Sequence, residues 1–184
     1  MATPPATASN RTSSAGWRRS ARTSAVRLSR GKGFRGPPPA VTEPPRFEGD
    51  AWCFGCGPAN ASGLHLRFLV TGAGVVECEY TVPPHLCGRP TVVHGGIQAT
   101  LLDEVMGKAV QAGLPAELSG RRCVTAGFSL RYRRPAPIGV PLRARGQFLR
   151  VEGSNVFVAG VLADRDGNEL TTAEARWRLL EDMR

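Results

Sequence analysis

The chain has 184 residues, 41% of them hydrophobic, which suits one compact domain and excludes a wholly disordered protein. Its net charge of +9 is concentrated: eight of the 24 basic residues lie in residues 1–42, where no acid occurs, leaving 16 against 15 acids for the rest. A nearly neutral body offers no electrostatic case for nucleic acid, and no uncharged apolar run approaches the ~20 residues that span a bilayer.

Residues 1–46 are rich in Ser, Thr, Ala, Arg, Gly and Pro, a composition that cannot bury enough apolar surface to offset ordering. They are expected to be a disordered basic extension, with the folded domain over residues 47–184. Three roles stay open for the extension: a dispensable tail, a segment like a mitochondrial transit peptide, or an upstream start preceding a working chain that begins near Val41. Arg18-Arg19 lacks the apolar stretch that a twin-arginine export signal requires. With five cysteines, an odd number, the expectation is reduced thiols in the cytoplasm.

Leu64–Val70 alternates apolar and polar residues and predicts a strand, paired after Gly72-Ala73-Gly74 with a second over Val75–Val82. Pro83-Pro84 ends the pair. A helix is predicted from Gly95 to Gln111: Ile97, Leu101, Val105 and Ala109 recur at steps of four, and Leu102, Met106 and Val110 widen the stripe. Gly113 and Pro115 stop it. Four strands follow, over Arg122–Tyr132, Leu142–Val151, Asn155–Ala163 and Glu169–Leu179, separated by turn-forming segments. The pattern is an α+β fold, an antiparallel sheet of five or six strands curled around one long helix.

Val92-Val93-His94-Gly95-Gly96 opens the helix. Free N–H groups and the positive end of the dipole make a helix start an oxyanion site, and Gly95 and Gly96 leave the approach to it unobstructed. The alternative is a Gly-rich corner with no chemical role. Asp103 sits among Leu101, Leu102 and Val105, where burial would raise its pKa toward a general base's range. The alternative here is a solvated face carrying Asp103-Glu104 as ordinary charges.

His94-Gly95-Gly96-Ile97-Gln98-Ala99-Thr100-Leu101-Leu102-Asp103-Glu104 resembles the His-Gly-Gly segment of hot-dog-fold thioesterases of the phenylacetate-pathway type. Cys53-Phe-Gly-Cys56-Gly-Pro58, Asn60 and Gly63-Leu64 upstream, and Thr125, Arg131-Tyr132 and Arg134-Pro135 downstream, extend the likeness over about residues 52–180. The resemblance implies hydrolysis of acyl-CoA to free acid and CoA; no cofactor and no metal are expected. It implies Asp103 as base or nucleophile, the Gly95 N–H as the group polarising the carbonyl, His94 as the residue holding the loop, and Thr125 as an aid in placing water. It also implies a homodimer or a dimer of dimers with shared sites. Gly88 departs from the pattern, standing where several relatives carry an Asn.

Helix geometry agrees with sharing. His94 and Asp103, nine residues apart, differ by ~13.5 Å and about half a turn, so two antiparallel helices are needed to bring Gly95 of one chain to Asp103 of another. Arg131 and Arg134 are candidates for holding the CoA phosphates, or are plain edge-strand charges. Glu104 reads as a structural or rim charge. Cys53 and Cys56 read as a packed Gly/Cys turn; competing readings are half a zinc site, with His65, His85 or Cys87 as further ligands, or a redox pair, and a Cys87 nucleophile near His85. A hot-dog hydratase would need an Asp and a His a few residues apart, a pair not found here. A non-catalytic dimer that binds acyl-CoA or fatty-acyl groups is the alternative to an enzyme.

Overall fold

The structure is a computed structural model that describes residues 50–180; the extension over residues 1–46 and the domain boundary at 47 lie outside them. In chain order it contains β1 (Leu69–Gly72), β2 (Val75–Thr81), β3 (Cys87–Arg89), β4 (Val92–Val93), α1 (Gly95–Gly113), β5 (Cys123–Tyr132), β6 (Pro141–Glu152), β7 (Asn155–Ala163) and β8 (Glu169–Leu179). Six strands form one antiparallel sheet in the order β1-β2-β6-β7-β8-β5, and β3 and β4 form a small second pair. Helix α1 packs across the large sheet, touching β2, β6, β7, β8 and β5. The expected α+β arrangement of one helix on an antiparallel sheet is the one found.

The helix owes its place to its apolar stripe. Leu101, Leu102, Val105, Met106, Ala109 and Val110 are at most 1% exposed and meet Val76, Leu142, Val156, Val158 and Leu162 of the sheet. Truncating a residue so enclosed, such as Leu102→Ala, costs about 2–5 kcal/mol, a large share of a domain's net stability. Gly146 of β6 and Gly160 of β7 are cross-strand partners under the helix. A Cβ on Gly146 would strike the Val105 backbone, and one on Gly160 would press on Met106 and Leu102. The two glycines form a notch that lets α1 lie close to the sheet.

Two details differ from the sequence reading. Leu64–Phe68 is not a strand, although Leu64, Leu66 and Phe68 are buried as its alternation requires. Its backbone turns instead to the preceding loop, with Leu64 N donating to Phe54 O and Leu66 N to Gly55 O, while His65 takes a positive φ of 51°. The alternation reported burial, not ladder pairing. The buried stripe also begins at Gln98 rather than Ile97. Gln98 is tolerated because both ends of its amide are bound, Nε2 donating to Val93 O and Oε1 accepting from Thr171 Oγ1.

Candidate active site

The loop before α1 is fixed by backbone pairing on two sides. His94 N donates to Leu86 O, Val93 N donates to Ala136 O, and β3–β4 pairing sets Cys87 opposite Val93. This delivers His94 as the N-cap of α1, its Nδ1 accepting from Gly96 N at 3.0 Å. Ile97 N and Gln98 N both donate to His94 O. The Gly95 N–H is left, among the described residues, without an acceptor. A donor with this position at a helix start is where a developing oxyanion would be stabilised. Gly96 offers no free donor, since His94 holds its N–H.

The Gly95 carbonyl is also anchored: Tyr132, at the end of β5, donates its hydroxyl to Gly95 O at 2.9 Å. Gly95 and Tyr132 line an open cavity of about 530 Å³ together with Gly88, Arg89, Arg133 and Arg134. Arg134 therefore lines the same cavity as Gly95, whereas Arg131 is not among the lining residues. A Cβ at Gly88 would come within 3.2 Å of His94 Cα, so the loop is packed for a glycine, and an Asn there would require His94 to shift.

Asp103 lies two turns further along α1 and is half-buried. Thr125, on edge strand β5, donates Oγ1 to Asp103 Oδ1 at 3.0 Å. The other carboxylate oxygen has no partner among the described residues, which leaves an acceptor for a water proton. Burial pushes the Asp103 carboxyl above its ordinary value; the Thr125 hydrogen bond opposes this and the neighbouring Glu104 charge adds to it. Raised this way, the group is a better match for proton abstraction than an exposed aspartate.

The predicted residues thus fall into two groups, His94, Gly95 and Gly96 at the helix start and Asp103 with Thr125 farther along. Eight residues separate Gly95 from Asp103, ~12 Å along the axis, too far for both to serve one carbonyl carbon in the same chain. One residue escaped the sequence reading: Tyr132 carried no local signal for its bond to Gly95, 37 residues away. Of the two readings of Glu104, the structural one fits: it accepts from the Cys53 thiol at 3.0 Å, 51 residues away.

The known proteins similar to this chain point to one family. The sequence model of the thioesterase superfamily matches residues 91–171, which include Gly95, Asp103 and Thr125. A solved thioesterase superfamily protein is 32% identical, with a TM-score of 0.63, over 77% of this chain and 69% of its own. A phenylacetic acid degradation-related protein of Ralstonia eutropha JMP134 is 30% identical, with a TM-score of 0.57, over 66% of this chain and 90% of its own. The acyl-coenzyme A thioesterase THEM4 of Rattus norvegicus is 30% identical over 97 residues, 53% of this chain. This chain spans 39% of that relative's length. The solved structures carry the hot-dog fold expected from the resemblance, and this chain has one main helix on an antiparallel sheet. Fold, matched segment and identity together make this chain a member of the thioesterase superfamily.

Proposed function

We propose that this protein hydrolyses acyl-CoA thioesters to a free acid and CoA. The observation that carries the reading is Asp103: a half-buried carboxylate with a raised pKa, one oxygen bound by Thr125 and the other unpartnered. In the reaction, Asp103 takes a proton from water as the water oxygen bonds to the thioester carbonyl carbon. The carbonyl oxygen becomes negative and accepts from the Gly95 N–H. Collapse of this intermediate breaks the C–S bond, and the departing CoA sulfur takes up the proton, giving acid and thiol.

The ~12 Å between Gly95 and Asp103 supports a site shared between two antiparallel copies, as a homodimer or a dimer of dimers. Arg134, with Arg89 and Arg133, supplies positive charge at the Gly95 end, where CoA phosphates would lie, and Arg131 extends that charge along β5. The printed name of the rat relative supports acyl-CoA as the substrate class. All five cysteines are unpaired, which fits a reducing compartment such as the cytoplasm. No helix of the described residues is long and apolar enough to cross a membrane.

The test is a hydrolysis screen of short, medium, long and aromatic acyl-CoAs, following release of free thiol. Turnover of at least one class that depends on Asp103 supports the enzyme. Tight acyl-CoA binding without turnover would replace it with the non-catalytic binding dimer.

A further inference from the structure

Behind the catalytic face of α1, a second group of side chains converges without a role in thioester hydrolysis. The Cys53–Gly57 loop is a closed turn, with Gly57 N donating to Cys53 O at 2.9 Å. It brings the Cys53 and Cys56 thiols to the same side, against the Glu104 carboxylate. Gly55 lies so close to Glu104 that any Cβ there would overlap its side chain. Both thiols are hydrogen-bonded with Glu104, Cys53 Sγ to Oε1 at 3.0 Å. The three potential ligand atoms all lie within 4.8 Å of one another and are half-buried.

From this geometry we propose that Cys53, Cys56 and Glu104 form a site for a borderline-soft divalent cation of the zinc class. Two sulfurs and one carboxylate oxygen are a donor set for zinc rather than for magnesium or calcium, which take oxygen ligands. Around a tetrahedral zinc, with Zn–S of ~2.3 Å and Zn–O of ~2.0–2.2 Å, donors stand ~3.5–3.8 Å apart. The present spacing needs only small side-chain rotations to reach that. Zinc would take the place of the thiol protons that now bridge sulfur to carboxylate.

The fourth position opens on a cavity of about 250 Å³ lined also by Asp50, Lys108, Gln111, Arg122 and Trp177. Water completes the coordination from this side. Gln111 Oε1 and Trp177 Nε1, both without hydrogen-bond partners among the described residues, show that the cavity has polar walls. Lys108, paired with Asp50 at 2.9 Å, supplies positive charge against a ligand set of two thiolates and a carboxylate around one divalent ion. His65, His85 and Cys87, the further ligands suggested by sequence, are not members of the cluster.

The full chain, reduced and stripped of metal by a chelator, should be titrated with Co²⁺. We expect thiolate-to-cobalt charge-transfer absorption that saturates at about one equivalent per chain and is displaced by Zn²⁺. Zinc should protect two more of the five thiols from a thiol reagent than the metal-free chain does. Cys56→Ser should abolish the absorption, and Cys87→Ser should leave it unchanged. Glu104→Gln, which keeps the size and hydrogen-bonding capacity of the side chain, should weaken Zn²⁺ affinity at least tenfold while holding its melting temperature. Absence of the absorption, its persistence in Cys56→Ser, or unaltered affinity in Glu104→Gln would each overturn the site.

Discussion

Thr125 Oγ1 reaches across from the edge strand to hold Asp103 Oδ1 at 3.0 Å, the one side-chain bond made to that carboxylate among the described residues. The bond fixes the plane of the carboxylate and leaves one oxygen to act. It also makes the electrostatics of Asp103 adjustable from a different element, and that lends itself to measurement.

Replacing the carboxylate should separate chemistry from folding. Asp103→Asn keeps the shape and the acceptor for Thr125, and turnover should fall by about 10²–10⁴ with KM little changed, the loss expected for a positioned general base. Because the wild-type carboxylate is desolvated, the melting temperature should not drop. A folded variant with near-normal turnover would remove Asp103 from the mechanism.

The pH dependence should carry the same signature. As the proposed base Asp103 works deprotonated, and burial raises its pKa, so kcat/KM should fall as pH decreases through a midpoint above the ordinary carboxylate range. The Thr125 hydrogen bond favours the charged form and lowers that midpoint. Thr125→Val should therefore move the acid limb to higher pH. A limb that stays put, or moves down, would show that another group titrates.

Tyr132 acts at the other end of the helix. Tyr132→Phe removes the bond to Gly95 O while keeping the ring. The loss of one hydrogen bond, about 0.5–1.5 kcal/mol, predicts a fall in kcat/KM of roughly 2–10-fold. The pH limb should not move, because Tyr132 does not touch Asp103. A shifted limb would contradict a positioning role confined to Gly95.

Sharing of the site between chains can be read by complementation. Gly95→Val and Asp103→Asn should each be nearly inactive as pure homodimers, the first because its side chain would crowd Tyr132, 3.3 Å from the Cβ position. When the two are co-expressed, half the dimers are mixed and half the sites of those are intact, so about a quarter of wild-type activity should return. Purified mixed dimers as inactive as their parents would place both groups in one chain.

What the sequence made legible follows from the range of each interaction. Strands β7 and β8 and the turn between them are encoded locally. Alternation marks the strands, and Asp164 accepts from the backbone N–H of Asp166 and Asn168 to close the turn. Asp103 stood out because a charge inside an apolar helical stripe is conspicuous on its own. The Tyr132–Gly95 and Cys53–Glu104 contacts join residues 37 and 51 positions apart. No spacing rule connects such pairs, and only the placing of β5 and of the Cys53–Gly57 loop beside α1 brings them together. Leu64–Phe68 failed for a related reason: its alternation is correct, but its hydrogen-bond partner is a loop rather than a strand.

The Gly146–Gly160 notch has a consequence for how such a protein can diversify. It seats α1 close against β6 and β7, so the Val105 backbone and Met106 lie where any side chain larger than glycine's would push the helix off the sheet. The spacing of the proposed catalytic groups along α1 is thereby a fixed rail, indifferent to changes at the surface. Room for a larger or differently shaped acyl group has to come from what flanks the rail, the segments around Gly88 and Tyr132–Pro135. Those segments can drift while the two glycines stay, and a lineage that changed substrate this way would keep its machinery in register throughout.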